Sequence, residues 1–306
     1  MSKRILFMGT PDYATTIFDA LINSSYEIVG LFTQPDKPVG RKQVLTPPHI
    51  KQYCLDNTLN LPIYQPLKLR HNDEALTQIK ALKPDFIIVA AYGQILPKSI
   101  LDVAPCINLH ASLLPKYRGA SPIQEALLND DAFTGVTSML MEEGLDTGDI
   151  LGWQYLKITP SMDVIEAFNE LSKIAAQLTL NTLDKYETIA PKKQDDTQSS
   201  LCKKIKKEYG CVDFTHAKKL VLRYKAYSFW PGIFLESGLK LKEVSLVEEH
   251  SHHQEGIILE ILEDGIIIGC AQGSIKVKTL QAPSKKPLAA TEYLKGARLS
   301  IKEFIK

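Results

Sequence analysis

The stretch that most limits what this chain can fold into is Asp85-Phe86-Ile87-Ile88-Val89-Ala90-Ala91. The apolar run does not alternate, is too short for a buried helix and is rich in β-branched residues. It reads as a strand covered on both faces, the kind found in parallel sheets wrapped by helices. Arg4-Ile5-Leu6-Phe7-Met8 is a second run of this type, ending at Gly9. Thr10 is placed to cap, and Pro11 to open, a helix whose apolar period passes through Phe18, Leu21 and Ile22. Strand, glycine turn and helix begin a doubly wound α/β sheet. A dinucleotide site would need GxGxxG, and Gly9-Thr10-Pro11-Asp12 supplies one glycine only, which argues against NAD.

The remaining punctuation extends the pattern. A strand is expected over residues 27–33, then a long loop, Gln34 to Gln43, fenced by prolines at 35, 38, 47 and 48. Helices follow near 49–57 and 73–82, the latter capped by Asn72, with a short strand at 61–64 between them. Ser121 and Pro122 open a helix to Leu128. Beyond Asp149, a strand over 150–158 precedes a long helix from Met162 to about Tyr186, with Ser161 as its cap. Residues 190–200 turn polar and read as a linker.

Past that point the text is that of a small OB-like β-barrel. Ala217–Phe229 is a helix, and Asp264-Gly265 between two apolar runs signals a hairpin. Ser274-Ile275-Lys276-Val277-Lys278 alternates, sending Ile275 and Val277 inward and both lysines outward. The expected organisation is residues 1–189 as a mostly parallel Rossmann-like domain, 190–203 as linker and 204–306 as the barrel. A length of 306 residues fits two cores.

Chemistry concentrates between residues 103 and 149. The run from Val103 to Leu109 is a strand on which Asn108 and His110, two apart, leave the same face. Ser112-Leu113-Leu114-Pro115 stops it, since proline cannot donate to a ladder. A second apolar run, Val136 to Met141, leads into the acidic loop Glu142 to Asp149. If the two runs are neighbours, a loop carboxylate reaches His110. An amide, an imidazole and a carboxylate at one sheet edge can transfer an acyl group without metal or covalent intermediate.

Here a resemblance enters. NLHASLLPKYRGASPIQ followed by GLDTGDI is similar to the folate-dependent formyltransferases, and RILFMGTPDYA, TQPDKPVGRK and YSFWPG extend the similarity over the whole chain. The resemblance implies formyl transfer from 10-formyltetrahydrofolate to the free amino group of an initiator methionyl-tRNA. It implies that Asn108, His110 and Asp146 form the catalytic trio and that Ser112, Leu113, Leu114 and Pro115 bind folate, with the Tyr92-Gly93 loop helping to form the pterin pocket. It also implies that Arg41, followed by Lys42, belongs to the loop that enters the tRNA acceptor end. The alternatives are a formyltransferase acting on a sugar-nucleotide amine and a non-catalytic folate- or RNA-binding protein. The trio argues against the second, and the Arg41 loop with the basic barrel argues against the first.

Charge supports a polyanionic partner. The net charge of +1 hides 18 Lys+Arg against 23 Asp+Glu in residues 1–200, and 18 against 12 beyond them. Lys276 and Lys278 are therefore expected on a tRNA-facing strand. The five cysteines lack CxxC spacing, and the His250, His252 and His253 turn lacks ordered ligands, so no metal is expected. No run approaches the roughly 20 apolar residues of a membrane span. A cytoplasmic monomer, not attached to a membrane, is the expectation.

Overall fold

A computed structural model describes every residue except Met1 and Arg41. The chain divides into two compact units. One comprises Met1–Pro122, Phe133–Lys157 and Phe168–Cys202, and the other Ile123–Ala132, Ile158–Ala167 and Lys203–Lys306.

In the first unit, β1 (Arg4–Gly9) runs into helix α1 (Asp12–Ile22) and returns as β2 (Glu27–Phe32). Every residue from Ile5 to Met8 is fully buried, as a strand covered on both faces requires. Phe7 meets Phe18 of α1 with ring centroids 5.2 Å apart, while Leu6 and Met8 join Ile87, Val89, Leu96 and Ile100 on the other face. Pro11 occupies the cap position of α1 with no side-chain cap bond, so Thr10 does not play the role expected of it. Its hydroxyl instead donates to the Tyr92 carbonyl at 3.2 Å, tying the end of β1 to the loop after the next parallel strand.

The stretch expected to be a long loop contains a two-stranded hairpin, β3 (Lys37–Val39) and β4 (Val44–Thr46), in the register Lys37↔Thr46. A left-handed Gly40 (φ 72°) supplies the turn that composition did not signal. Val39, Val44 and Leu45 are all more than half exposed, leaving an apolar ribbon on the surface. The chain continues through α2 (His49–Asp56), β5 (Ile63–Tyr64) and α3 (Asp73–Leu82). As expected, Asn72 caps α3, accepting from the Ala75 amide at 2.9 Å. Next come β6 (Phe86–Ala90), a short α4 (Lys98–Leu101) and β7 (Cys106–His110). β7 starts later than the apolar run because Pro105 cannot donate to the ladder and only its carbonyl is used, by the Ile87 amide.

After β8 (Arg118–Gly119) and α5 (Pro122–Leu128), β9 (Phe133–Leu140) and β10 (Ile150–Lys157) complete the sheet. Its order is β10-β9-β7-β6-β1-β2-β5, parallel from β5 to β7 and antiparallel across β9 and β10. This is the mostly parallel α/β sheet read from the sequence. Strand order reverses between β1 and β6, so their carboxyl ends and that of β7 border the crevice where such sheets bind ligands. Helix α6 (Val164–Lys185) is capped not by Ser161 but by Asp163, whose Oδ1 accepts from the amides of Ile165 and Glu166 at 2.9 and 3.0 Å.

Residues 190–200, which composition marks as a linker, belong to the first unit. Ile150 and Lys192 exchange backbone hydrogen bonds, both 2.8 Å, and β11 (Leu201–Cys202) pairs in parallel with β8.

Beyond residue 203, the second unit forms an antiparallel sheet with helices α7 (Ala217–Tyr227) and α8 (Ala290–Ala297). Strands β12 (Ile233–Phe234), β13 (Lys240–Glu248), β14 (Ile258–Leu262), β15 (Gly265–Gly269), β16 (Ser274–Gln281) and β17 (Leu288–Ala289) pair in the order β12-β13-β16-β15-β14, with β17 added to β16. The Asp264-Gly265 hairpin joins β14 to β15 as expected. Ile275 and Val277 are fully buried beside Ile266, Ile268, Leu220 and Leu241. No described helix is long and apolar enough to cross a membrane.

Candidate active site

Asn108 and His110 lie on one face of β7, at the strand's carboxyl end, and both are buried. The register Asn108↔Met139 and His110↔Thr137 makes β9 the neighbour, so the loop after β9 returns a carboxylate beside the imidazole. Asp146 Oδ2 stands 3.3 Å from His110 Nε2. That nitrogen is buried and has no aligned hydrogen-bond partner, so the two groups are close without forming a linear hydrogen bond.

The other ring nitrogen is fixed. Nδ1 of His110 lies 3.0 Å from Ser112 Oγ, and Ser112 Oγ donates to the Lys116 carbonyl at 2.7 Å. A hydroxyl has one proton to give, so Ser112 must accept from Nδ1–H. The neutral ring therefore carries its lone pair on Nε2, and Nε2 is the atom free to take or return a proton.

Asp146 adopts a left-handed conformation (φ 53°) and accepts the Gly119 amide on Oδ2 at 2.9 Å. Burial pushes its carboxyl up, but His110, the Gly119 amide and the Arg118 charge outweigh burial and hold it below the usual carboxylate range. Asp146 is thus an anion facing Nε2. Among the described residues nothing hydrogen-bonds the side-chain amide of Asn108, which leaves both of its N–H groups available to a carbonyl oxygen that gains charge. This donor set suits a carbonyl carbon under attack by an amine.

The turn after β7 is ordered by side chains that hydrogen-bond its backbone. Thr137 Oγ1 accepts the Leu114 amide at 3.0 Å and donates to the Ser112 carbonyl at 2.6 Å. Leu114 packs with Met139 and Ile150, and Trp153 Nε1 donates to its carbonyl. Leu113 and Pro115 are half-buried at the rim. Of the residues expected to bind folate, Ser112 has its hydroxyl committed to His110 and Lys116. Tyr92 has its ring in the apolar core, with burial raising its phenol, while its carbonyl accepts from Thr10 and Gln34. Gly93 (φ 80°) is exposed, and the loop that continues from it lines a cavity of about 800 Å³ with Leu69, Leu76, Gln94, Leu96 and Glu143.

Sequence reasoning missed three residues here. Arg118 and Gly119 sit in the NLHASLLPKYRGASPIQ stretch without a signal of their own, and Gln194 lies in the polar stretch, where no period marks a buried position. Arg41 lies outside the described residues. Lys42 is exposed next to the surface hairpin. Lys276 and Lys278 point outward from β16, but both pair with Asp264, at 2.6 and 3.3 Å. Among the described residues no group of three or more His, Cys, Asp or Glu is placed to hold a metal ion.

Comparison with known proteins agrees with this chemistry. Residues 3–183 match the formyl transferase family, and residues 204–298 match the formyl transferase C-terminal domain. A methionyl-tRNA formyltransferase of Nitratiruptor sp. is 57% identical over 298 residues, 97% of this chain and 98% of that one. One from Helicobacter pylori is 52% identical over 299 residues, again 97% of this chain and 98% of that one. Among solved structures, the N-formyltransferase from Helicobacter canadensis in complex with folinic acid and dTDP-3-aminofucose superposes with a TM-score of 0.68 at 17% identity, covering 90% of this chain and 99% of that one. HypX from Aquifex aeolicus in complex with tetrahydrofolic acid superposes with a TM-score of 0.64 at 18% identity, covering 99% of this chain and 49% of that longer one. Those two structures speak to the fold alone. The family matches span most of the sequence and the identities exceed half over nearly its full length, so the chain belongs to the formyl transferase family, with the methionyl-tRNA formyltransferases.

Proposed function

We propose that this enzyme transfers the formyl group of 10-formyltetrahydrofolate to the α-amino group of initiator methionyl-tRNA. The observation that carries the reading is the meeting of Asn108, His110 and Asp146 at the carboxyl edge of β7 in a chain of this family. Asn108 donates to the formyl oxygen as the amine attacks the formyl carbon. A single donor of this kind is worth roughly 2.7–4 kcal/mol. His110, with Nδ1–H held by Ser112, takes the amine proton at Nε2, and the Asp146 carboxylate stabilises the imidazolium that forms. His110 then returns the proton to the departing folate nitrogen.

Leu113, Leu114 and Pro115, with the Gly93 loop, supply the folate-facing wall on this reading. Arg41 and Lys42 approach the acceptor end of the tRNA, and the C-terminal antiparallel sheet acts as an OB-like module for the same partner. The chain works as a cytoplasmic monomer and uses no metal.

Product identity tests this. The enzyme is offered donor labelled in its formyl group together with charged initiator tRNA, an amino-sugar nucleotide and water. Label is expected in formyl-methionyl-tRNA. Label in the sugar nucleotide would convert the reading to a sugar formyltransferase, and label in neither amine would leave a folate- or RNA-binding protein.

A further inference from the structure

Gln194 belongs to none of the chain's motifs, yet it is buried and every hydrogen-bonding position of its amide is used. Nε2 donates to the carbonyls of Asp146 and Gly148, both at 2.8 Å. Oε1 accepts from Arg118 Nε at 3.0 Å and from Arg118 Nη2 at 2.8 Å. Arg118 is buried too, and its Nη2 also reaches Asp196 Oδ1 at 2.7 Å. Two donors and two lone pairs exhaust a carboxamide. Gln194 therefore has nothing left to offer a substrate. What it grips is the backbone of the loop that presents the Asp146 carboxylate, on either side of Thr147.

That loop needs holding. Asp146 is in the left-handed region, uncommon for a residue with a side chain. Gly148 packs so tightly that a Cβ would lie 1.9 Å from the Leu140 carbonyl oxygen. The backbone ladder between Ile150 and Lys192 fixes the segment two residues before Gln194. A neutral amide is suited to this place: a lysine would compete with His110 for the Asp146 charge, and a carboxylate would face two carbonyl oxygens.

We propose that Gln194, braced by Arg118, is a positioning residue that holds the Asp146 loop so that Oδ2 faces His110 Nε2. The segment joining the two halves of the sequence thereby becomes part of the catalytic apparatus. This rests on the reading that Asp146 works with His110.

The test uses the full chain with saturating charged tRNA. Gln194→Glu keeps the acceptor for Arg118 and strengthens that contact, but replaces the donor to Asp146 and Gly148 with a repelling oxygen. It is expected to lower kcat about tenfold or more, leave KM for the folate donor within about twofold, and keep the thermal midpoint near that of the wild type. If Gln194 served only to anchor its own segment to Arg118, Gln194→Glu would be as active as wild type. Should the glutamate variant not fold, Gln194→Met, similar in length but without any of the four bonds, is carried into the Asp146→Ala background instead, where a loss that vanishes assigns its effect to the carboxylate and a loss that persists overturns the proposal. On an Asp146→Ala background, Gln194→Glu should cost nothing further, because both act through one carboxylate. Wild-type turnover in Gln194→Glu alongside a crippled Asp146→Ala, a loss confined to KM, or additive losses in the double variant would each overturn the proposal. Wild-type turnover in Asp146→Ala itself would instead overturn the reading of the site on which it rests.

Discussion

The hydroxyl of Ser112 accepts from His110 Nδ1 at 3.0 Å because it has already given its own proton to the Lys116 carbonyl at 2.7 Å. One short turn thus selects the imidazole tautomer. Ser112→Ala removes the acceptor and lets either tautomer form. The expected result is a kcat lowered by about tenfold or more, with a mixture of ring tautomers in nitrogen NMR spectra where the wild type shows Nδ1–H alone. A single tautomer in the variant, with normal turnover, would dissociate Ser112 from the proton path.

Gly119 is a second control point. Its φ of 119° favours glycine, and a Cβ would lie 2.3 Å from the Cys202 carbonyl oxygen, against a backbone that β8–β11 pairing cannot shift cheaply. Its amide is also the one that holds Asp146 Oδ2. Gly119→Ala should destabilise the first unit by roughly 1–3 kcal/mol and lower kcat even where the protein stays folded. Denaturant unfolding and steady-state assays read the two effects separately. A variant that loses neither would mean that the turn can relax without moving Asp146.

The depressed carboxyl of Asp146 has a signed consequence for stability. The folded state favours the anion, so the contribution is fully present above the ordinary carboxylate pKa, about 3.9, and is lost as pH falls from there through the lower folded value. Asp146→Asn should therefore cost about 1–3 kcal/mol near neutrality, the scale of a charge-assisted hydrogen bond. The gap to wild type should close as the solution is acidified below pH ~4. Urea unfolding at a series of pH values measures it. A gap that stays constant with pH would assign the loss to packing rather than to charge.

How much of this could be read beforehand follows from the physics of each element. β1 and β6 were legible because a strand buried on both faces has no polar positions. The pairing of Asn108 with His110 was legible because side chains repeat every two residues on a strand. The Asn72 cap was legible since its partner is three residues away. Thr10 and Ser161 were misread as caps for a related reason: several adjacent polar residues can compete for a helix start, and tertiary contacts chose Tyr92 for Thr10 and gave the α6 cap to Asp163. The hairpin after β2 depends on a left-handed Gly40 within a proline-rich stretch, where apolar residues face solvent and no alternation shows. Gln194 and Arg118 were invisible because their burial is set by a partner some 76 residues away in sequence, and polar text without a period reads as solvent-exposed.

Asp264 alters what the outward lysines of β16 can do. Lys276 and Lys278 leave the sheet on the face read as polyanion-binding, but Asp264, at the β14–β15 turn, meets both. The two cations and the anion together present one net charge, and the pairing holds the Asp264 carboxyl below its usual range. Two free lysines at phosphates would add about 1.8 to the slope of log K against log salt, at about 0.9 for each phosphate neutralised on a duplex acceptor arm. Replacing both lysines with alanine should therefore flatten the slope for tRNA by less than that, because in the wild type Asp264 already offsets part of their charge. Asp264→Asn should do the opposite, releasing both lysines and steepening the slope while leaving folate affinity unchanged. Binding measured from low to moderate salt for wild type, Asp264→Asn and the double lysine variant separates the cases. A steeper slope in Asp264→Asn makes the aspartate a brake on this face. Identical slopes in all three place the contact with tRNA elsewhere, and the exposed Lys203, Lys204 and Lys207 become the next residues to replace.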